Sequence, residues 1–376
     1  MMRRFLLHVF FPSVVLAVLS GCSSTPGPAD LVSFKPTVEL RELWSISVGS
    51  AKNYVFQPAV VDESVYAAGA GGDVVRIDGG KKKWVVDTKV KLSAGVGSDG
   101  NVVVVAGERG QVIALDAETG AERWRVNVGA EVLAPPAVGG GLVVLRASDH
   151  RLFGLEAKSG QQRWLHQRNT PALALRSHSG VLIVDNQVAL VGFPGGKVIA
   201  VSLEHGAGLW ELSVARPRGA TELERVSDVA GVPALGRNEV CAVTYQGRAA
   251  CFDIASGNTL WTRDFSSYAG MDRDTRFAML VDERDSVQAL DAYSGITVWR
   301  QDAMPRRRLT RPRIIGDYVV LGDGEGYVHV LGREDGVFAA RARADWKAIL
   351  ADPQPLGNGF VVQSLGGDVV AYELRR

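Results

Sequence analysis

The side chains with most chemistry to offer are three cysteines, and their settings differ. Cys22 closes the run Leu19-Ser20-Gly21-Cys22, behind Arg3, Arg4 and the apolar stretch 5–19. A basic start, a short apolar core and small residues before a cysteine form a lipobox, whose thiol takes a thioether-linked diacylglycerol before cleavage leaves Cys22 first. The apolar run is too short and too abruptly ended for a comfortable membrane span. Cys241 and Cys251 lie in segment 240–252, which reads as a hairpin turning at Gln246-Gly247. A two-residue turn puts them on opposite faces of the ribbon, whereas a three-residue turn sets them opposite one another, within reach of a disulfide. The sequence leaves both open.

Other reactive groupings are sparse. His150, His166, His178, His205 and His329 are scattered along the chain, with no H-E-x-x-H and no short-spaced ligand pair. A G-x-S-x-G nucleophile turn and a P-loop are both lacking. Gly322-Asp-Gly-Glu-Gly326 has a superficial likeness to a Ca²⁺ loop, but two carboxylates one residue apart between apolar strands read as a hairpin turn. Lys plus Arg total 42 against 41 Asp plus Glu, so no basic field exists to attract nucleic acid. Removal of 1–21 takes away Arg3 and Arg4, leaving 40 basic against 41 acidic residues and a charge of −1.

Whatever the links carry must be positioned by a repeat. An apolar strand, often an acidic residue, a turn ending in Gly and then Trp four residues later recur along the chain. The clearest copy is Val112-Ile-Ala-Leu-Asp116-Ala-Glu-Thr-Gly120-Ala-Glu-Arg-Trp124. Gly160 and Trp164, Gly206 and Trp210, Gly257 and Trp261, and Gly295 and Trp299 keep the spacing, as do Gly80 and Trp84 after a shorter turn. Gly336 has Ala340 where Trp is expected, which puts Trp346 out of register. Intervals of 40, 40, 40, 46, 51 and 38 separate Trp44, Trp84, Trp124, Trp164, Trp210, Trp261 and Trp299. Each suits a unit of about four short strands. The chain ends on an eighth strand, 368–374, with no turn or Trp after it, and begins with a Trp strand, 42–48, that has no partner before it. The two halves complete one blade. The expected fold is all-β: an eight-bladed β-propeller of four-stranded antiparallel blades, closed by the N- and C-terminal strands. The organisation is a removed signal at 1–21, an acylated cysteine and flexible tether at 22–40, and one propeller domain at 41–376. Each Trp is expected to lie over the next blade, its indole N–H reaching a carbonyl there.

The Ala-Leu-Asp-Ala-x-x-Gly-x-x-x-Trp pattern resembles the tryptophan-docking repeat of quinoprotein dehydrogenases and related propellers. With the lipobox and a mature length of 355 residues, the chain from 22 to 376 resembles the BamB family, lipoprotein subunits of the outer-membrane β-barrel assembly machinery. Ser23 resembles the sorting pattern that sends Gram-negative lipoproteins to the outer membrane, which implies a body in the periplasm. The resemblance implies a non-catalytic scaffold with no cofactor, whose partners are a POTRA domain of BamA and the other barrel-assembly lipoproteins, with nascent outer-membrane proteins as further candidates. The rival is an enzyme holding pyrroloquinoline quinone and Ca²⁺ on the propeller axis. In many quinoprotein dehydrogenases two adjacent cysteines lie above the quinone, whereas Cys241 and Cys251 are ten apart. A polysaccharide- or lipid-binding propeller is a third class, without a sequence signature of its own.

Extra length in the links after Trp164 and Trp210 marks where a partner would bind, since long loops more often serve function than structure. Composition alone would let Leu173 and Leu175 begin an inner strand and face the core. The BamB resemblance instead implies a Leu-x-Leu-Arg stretch, here Leu173, Leu175 and Arg176, beside an Asp-x-Asp stretch, of which this chain keeps Asp228 and has Ala230 at the second acid. Glu222 or Glu224 are the available substitutes. Another link, 305–313, holds five arginines, which are either solvated or face anionic headgroups or an acidic partner. Cys22→Ala is expected to yield soluble or unprocessed protein; a processed species still fractionating with outer membranes would refute the lipobox.

Overall fold

The computed structural model describes residues 26–176 and 178–375; Cys22 therefore lies outside the described residues. Within them the chain forms eight antiparallel sheets of four strands each. Seven are consecutive stretches of chain: 59–87, 97–127, 137–166, 181–213, 229–264, 271–301 and 313–343, blades 1 to 7. The eighth draws three strands from 354–375 and its outermost from Glu39–Ser47, which pairs with Asp368–Arg375 so that Trp44 faces Ala371. The expected closure is the one observed.

Burial follows position in the blade. Middle strands such as Val102–Ala106 and Leu142–Arg146 are buried at every residue, because neighbouring blades cover both faces. Outer strands alternate, as in Glu122–Asn127, where the ring of Trp124 turns inward. First strands are short and contact the first strands of adjacent blades around the axis. Connections from an outer strand to the next first strand emerge on one side, the link face. The glycine turns lie on the other.

The repeat explains how blades grip each other. In the second blade Asp116 accepts hydrogen bonds from the N–H groups of Glu118 and Thr119, and the turn closes with Gly120 donating to the Asp116 carbonyl. Gly120 sits at φ +72° with the Trp84 ring against the place a Cβ would occupy, so both backbone angle and room require glycine. The same seat holds Trp44 on Gly80, Trp124 on Gly160, Trp164 on Gly206, Trp261 on Gly295 and Trp299 on Gly336. Five indoles donate into the next blade: Trp84 to Ala117, Trp124 to Ala157, Trp164 to Leu203, Trp261 to Ala292 and Trp299 to Arg333, at 2.7–3.1 Å. Trp210 breaks the pattern, since the nearest group to Gly257 is Leu212 at 3.8 Å. Ala340 takes the Trp position opposite Val330, and Trp346 stands 81% exposed beyond the strand, against Arg343.

The hairpin of blade 5 has a three-residue loop between Glu239–Thr244 and Arg248–Asp253, with Gln246 at φ 49°. That register sets Cys241 opposite Cys251, 4.1 Å apart at Cα, and they form a disulfide beneath Trp261. Residues 366–376 carry the strand that pairs with both Glu39–Ser47 and Gly359–Gln363. Their deletion is expected to expose the apolar face around Val369 and Ala371 and to lower the melting temperature in one cooperative step. An unchanged melt would disprove closure as the source of stability.

Candidate functional site

The two long links meet on the link face. Leu173, Leu175 and Arg176 lie outside the strands, because the first strand of blade 4 begins only at Val181. Leu173 is 38% exposed and Leu175 half-buried, so neither starts an inner strand. Asp228 closes the second link and is buried. Its carboxylate accepts the Leu175 N–H at 2.6 Å and the Gly195 N–H at 3.3 Å. The acid therefore clamps one link to the other.

Three further groups complete the clamp. Arg146, at the end of the second strand of blade 3, is buried and donates to the Ser179 carbonyl at 3.0 Å. Burial pushes its guanidinium down to about 10, against the opposing pull of the Asp228 charge. The Ser179 hydroxyl donates to the Val229 carbonyl at 3.2 Å. Arg176 pairs with Glu131 of the link between blades 2 and 3, at 2.8 Å, and its guanidinium lies 5.8 Å from the centre of the Tyr54 ring. Links from four blade junctions thus hold one exposed leucine motif. Leu223, 72% exposed, adds a third leucine from the second long link.

The expected acids separate by role. Glu224 folds back onto the N–H groups of Ala220 and Thr221 at 2.8 and 3.0 Å, closing a local turn. Glu222 points outward and touches Arg225 at 3.7 Å, which leaves it the more available carboxylate. Ala230 is buried in the apolar core shared by blades 5 and 6. Spacing does not mark Arg146, Glu131, Tyr54 or Leu223 as part of the site; only the extra length of the second link hints at Leu223.

The arginine run 306–313 also divides. Arg307 is buried on Asp323, which also receives the Nε2 of His329 at 2.8 Å and the N–H groups of Glu325 and Tyr327. Arg311 and Arg313 face Asp272, each at 3.5 Å. Arg306 and Arg308 are exposed, with φ of 61° and 56°. Asp323 thus spends its oxygens holding a turn and a link.

A cavity of about 720 Å³ opens on the link face, lined among others by Arg176, Tyr268, Asp285, Arg308 and Leu350. This is the place to test for a quinone and Ca²⁺. Three carboxylates line it: Asp285 accepts the Tyr268 hydroxyl and the N–H groups of Arg308 and Leu309, both at 2.9 Å, Glu283 accepts the Ser266 hydroxyl at 2.9 Å, and burial pushes the Asp352 carboxyl up, toward its neutral form. Cys241 and Cys251 are fully buried between strands of blade 5 and do not line the cavity. Among the described residues no three His, Cys, Asp or Glu side chains converge as a metal site. These residues do not fit a quinone–Ca²⁺ centre, which needs free hard oxygens.

Fold and site together define a tryptophan-docking, eight-bladed propeller with a clamped loop platform on its link face. The model of the family described as outer membrane protein assembly factor BamB matches residues 70–301 and 283–375. Relatives of that name include proteins of Pseudomonas aeruginosa, 44% identical over 98% of this chain and 99% of theirs, and of Bordetella pertussis, 42% identical over 94% of each. The crystal structure of BamB from Moraxella catarrhalis superposes with a TM-score of 0.83 at 28% identity, covering 89% of this chain and 100% of that one. A quinohemoprotein alcohol dehydrogenase from Comamonas testosteroni, at TM-score 0.69 and 13% identity over 89% of this chain and 76% of its own, shares the fold alone. The chain belongs to the BamB family.

Asp228→Ala is expected to free the Leu175 and Gly195 amides from a charged acceptor, a loss on the order of 2 kcal/mol confined to the platform. Trypsin should then cut faster at Arg168 and Arg176 while the circular dichroism of the ring is unchanged. Equal cleavage rates would show that Asp228 does not clamp this link.

Proposed function

We propose that this chain is a non-catalytic scaffold lipoprotein of outer-membrane β-barrel assembly, anchored by lipid at the periplasmic face of the outer membrane. Its platform docks a POTRA domain of BamA, with the other assembly lipoproteins as neighbours in the complex. The observation that carries this reading is the Leu173–Leu175–Arg176 motif held by Asp228, with Leu173 and Arg176 exposed and Leu175 half-buried, in a chain of the BamB family.

The groups divide the work. Burying Leu173 and Leu175 against a partner removes apolar surface from water, about 1.5–3 kcal/mol for each fully buried side chain. Arg176 is already oriented by Glu131 and Tyr54, so little side-chain entropy is lost when it meets an acid, and it favours the right partner over wrong ones. Asp228 contributes from beneath by keeping the Leu175 backbone in place, and Glu222 offers the outward negative charge.

Leu173→Glu with Leu175→Glu is expected to abolish pull-down of the BamA periplasmic domain while circular dichroism shows the ring intact. Arg176→Ala should weaken capture less than loss of the leucines. Capture of the folded double variant at parental levels would move the docking site elsewhere, with the face around Arg306 and Arg308 next to be tested.

A further inference from the structure

Residues 27–38, expected as part of a free tether, are held along blade 7. Thr37 donates its N–H to the Ala339 carbonyl at 2.9 Å, near the glycine-turn end of the outer strand. Phe34 stacks on Phe338 with ring centres 5.3 Å apart, and the Arg341 guanidinium lies 5.0 Å and 4.9 Å from the two ring centres while donating to the Val32 carbonyl at 2.9 Å. Further toward the amino terminus, Ala29 donates to the Pro305 carbonyl at 3.1 Å, Arg307 to the Ala29 carbonyl at 2.7 Å and Arg306 to the Gly27 carbonyl at 2.8 Å. The strap climbs from the turn side to the link face. There Pro26 lines the same cavity as Leu175, Arg176, Arg306 and Arg308.

We propose that this strap fixes the lipid anchor to the link face at the blade 6–7 junction, so that the acylated protein turns the side of that face carrying Arg306 and Arg308 toward the phosphates of the bilayer and leaves the Leu173–Leu175 side to its partner. Resting on the lipoprotein reading above, the inference adds an orientation which that reading lacks. Four residue steps separate Cys22 from Pro26, a reach of about 14 Å at full extension. With the strap released to Thr37 the reach would be about 50 Å and the ring free to tumble. The strap contacts therefore decide which face meets the lipid. Arg306 and Arg308 are the exposed members of their run, and cations within a Debye length of an anionic surface are attracted to it.

The test uses the acylated full-length protein in phosphatidylethanolamine–phosphatidylglycerol vesicles carrying a nitroxide-headgroup quencher. A fluorophore is placed by Lys52→Cys on a link, or by Lys158→Cys on a glycine turn; both positions are exposed, and Cys241 and Cys251 are held in the disulfide. The label at 52 is expected to be quenched several-fold more than the label at 158. Phe34→Ala with Arg341→Ala should erase that difference without changing circular dichroism, and Arg308→Glu should reduce quenching at 52. Equal quenching of both labels in acylated parent protein overturns the proposal, as does a strap variant that keeps the parental difference. Mass analysis of the amino-terminal peptide separates the two readings: a protein without acyl mass on Cys22 refutes the anchor itself, and the orientation with it.

Discussion

A propeller exists only if its ring closes. Each blade buries an apolar face against the next, so an open array leaves two such faces in water. Here the join is the pairing of Glu39–Ser47 with Asp368–Arg375. It completes a core in which Val48, Val65, Val75, Val361 and Val369 pack across the first and last blades. Strand edges that would otherwise invite pairing with other chains are satisfied in the same step. Every other feature, including the spacing of links around the axis, presupposes this closure.

Between blades the contact is an indole laid on a left-handed glycine. The two places where that rule fails sit beside the two features the repeat does not supply. Trp210 leaves Gly257 unoccupied, and it belongs to the blade flanked by both long links. Ala340 stands where blade 7 would carry its Trp, and the strap enters there, with Val38 and Leu40 packing beside Ala339 and Ala340. Local rules give way where a protein adds something to its scaffold.

Three buried carboxylates on the link face, Asp228, Asp285 and Asp323, and the half-buried Asp272 share one task. Asp228 holds Leu175, Asp285 holds Arg308 and Leu309, Asp272 holds Ile314, and Asp323 holds Tyr327, each through backbone N–H groups. A buried ionised acid is tolerated only when such donors or a cation satisfy it. The result is a set of links fixed before any partner arrives, which lowers the ordering cost of binding.

Sequence by itself determined the blade count, the closure and the tryptophan seats, because each depends on local spacing: a strand of alternating burial, a turn needing positive φ, and a ring four residues on. It also marked Leu173, Leu175, Arg176 and Asp228 through two long intervals and a family resemblance. Only the tertiary structure decided what those residues touch. That Asp228 faces inward to the Leu175 amide, that Cys241 meets Cys251 across a three-residue loop, that Arg307 and Arg311 are buried while Arg306 and Arg308 are not, and that the strap lies on blade 7 all depend on register and on contacts between residues as far apart as Val32 and Arg341. Spacing along a chain fixes what a residue's near neighbours permit. Which distant group comes within hydrogen-bonding range is set only when eight blades pack around one axis.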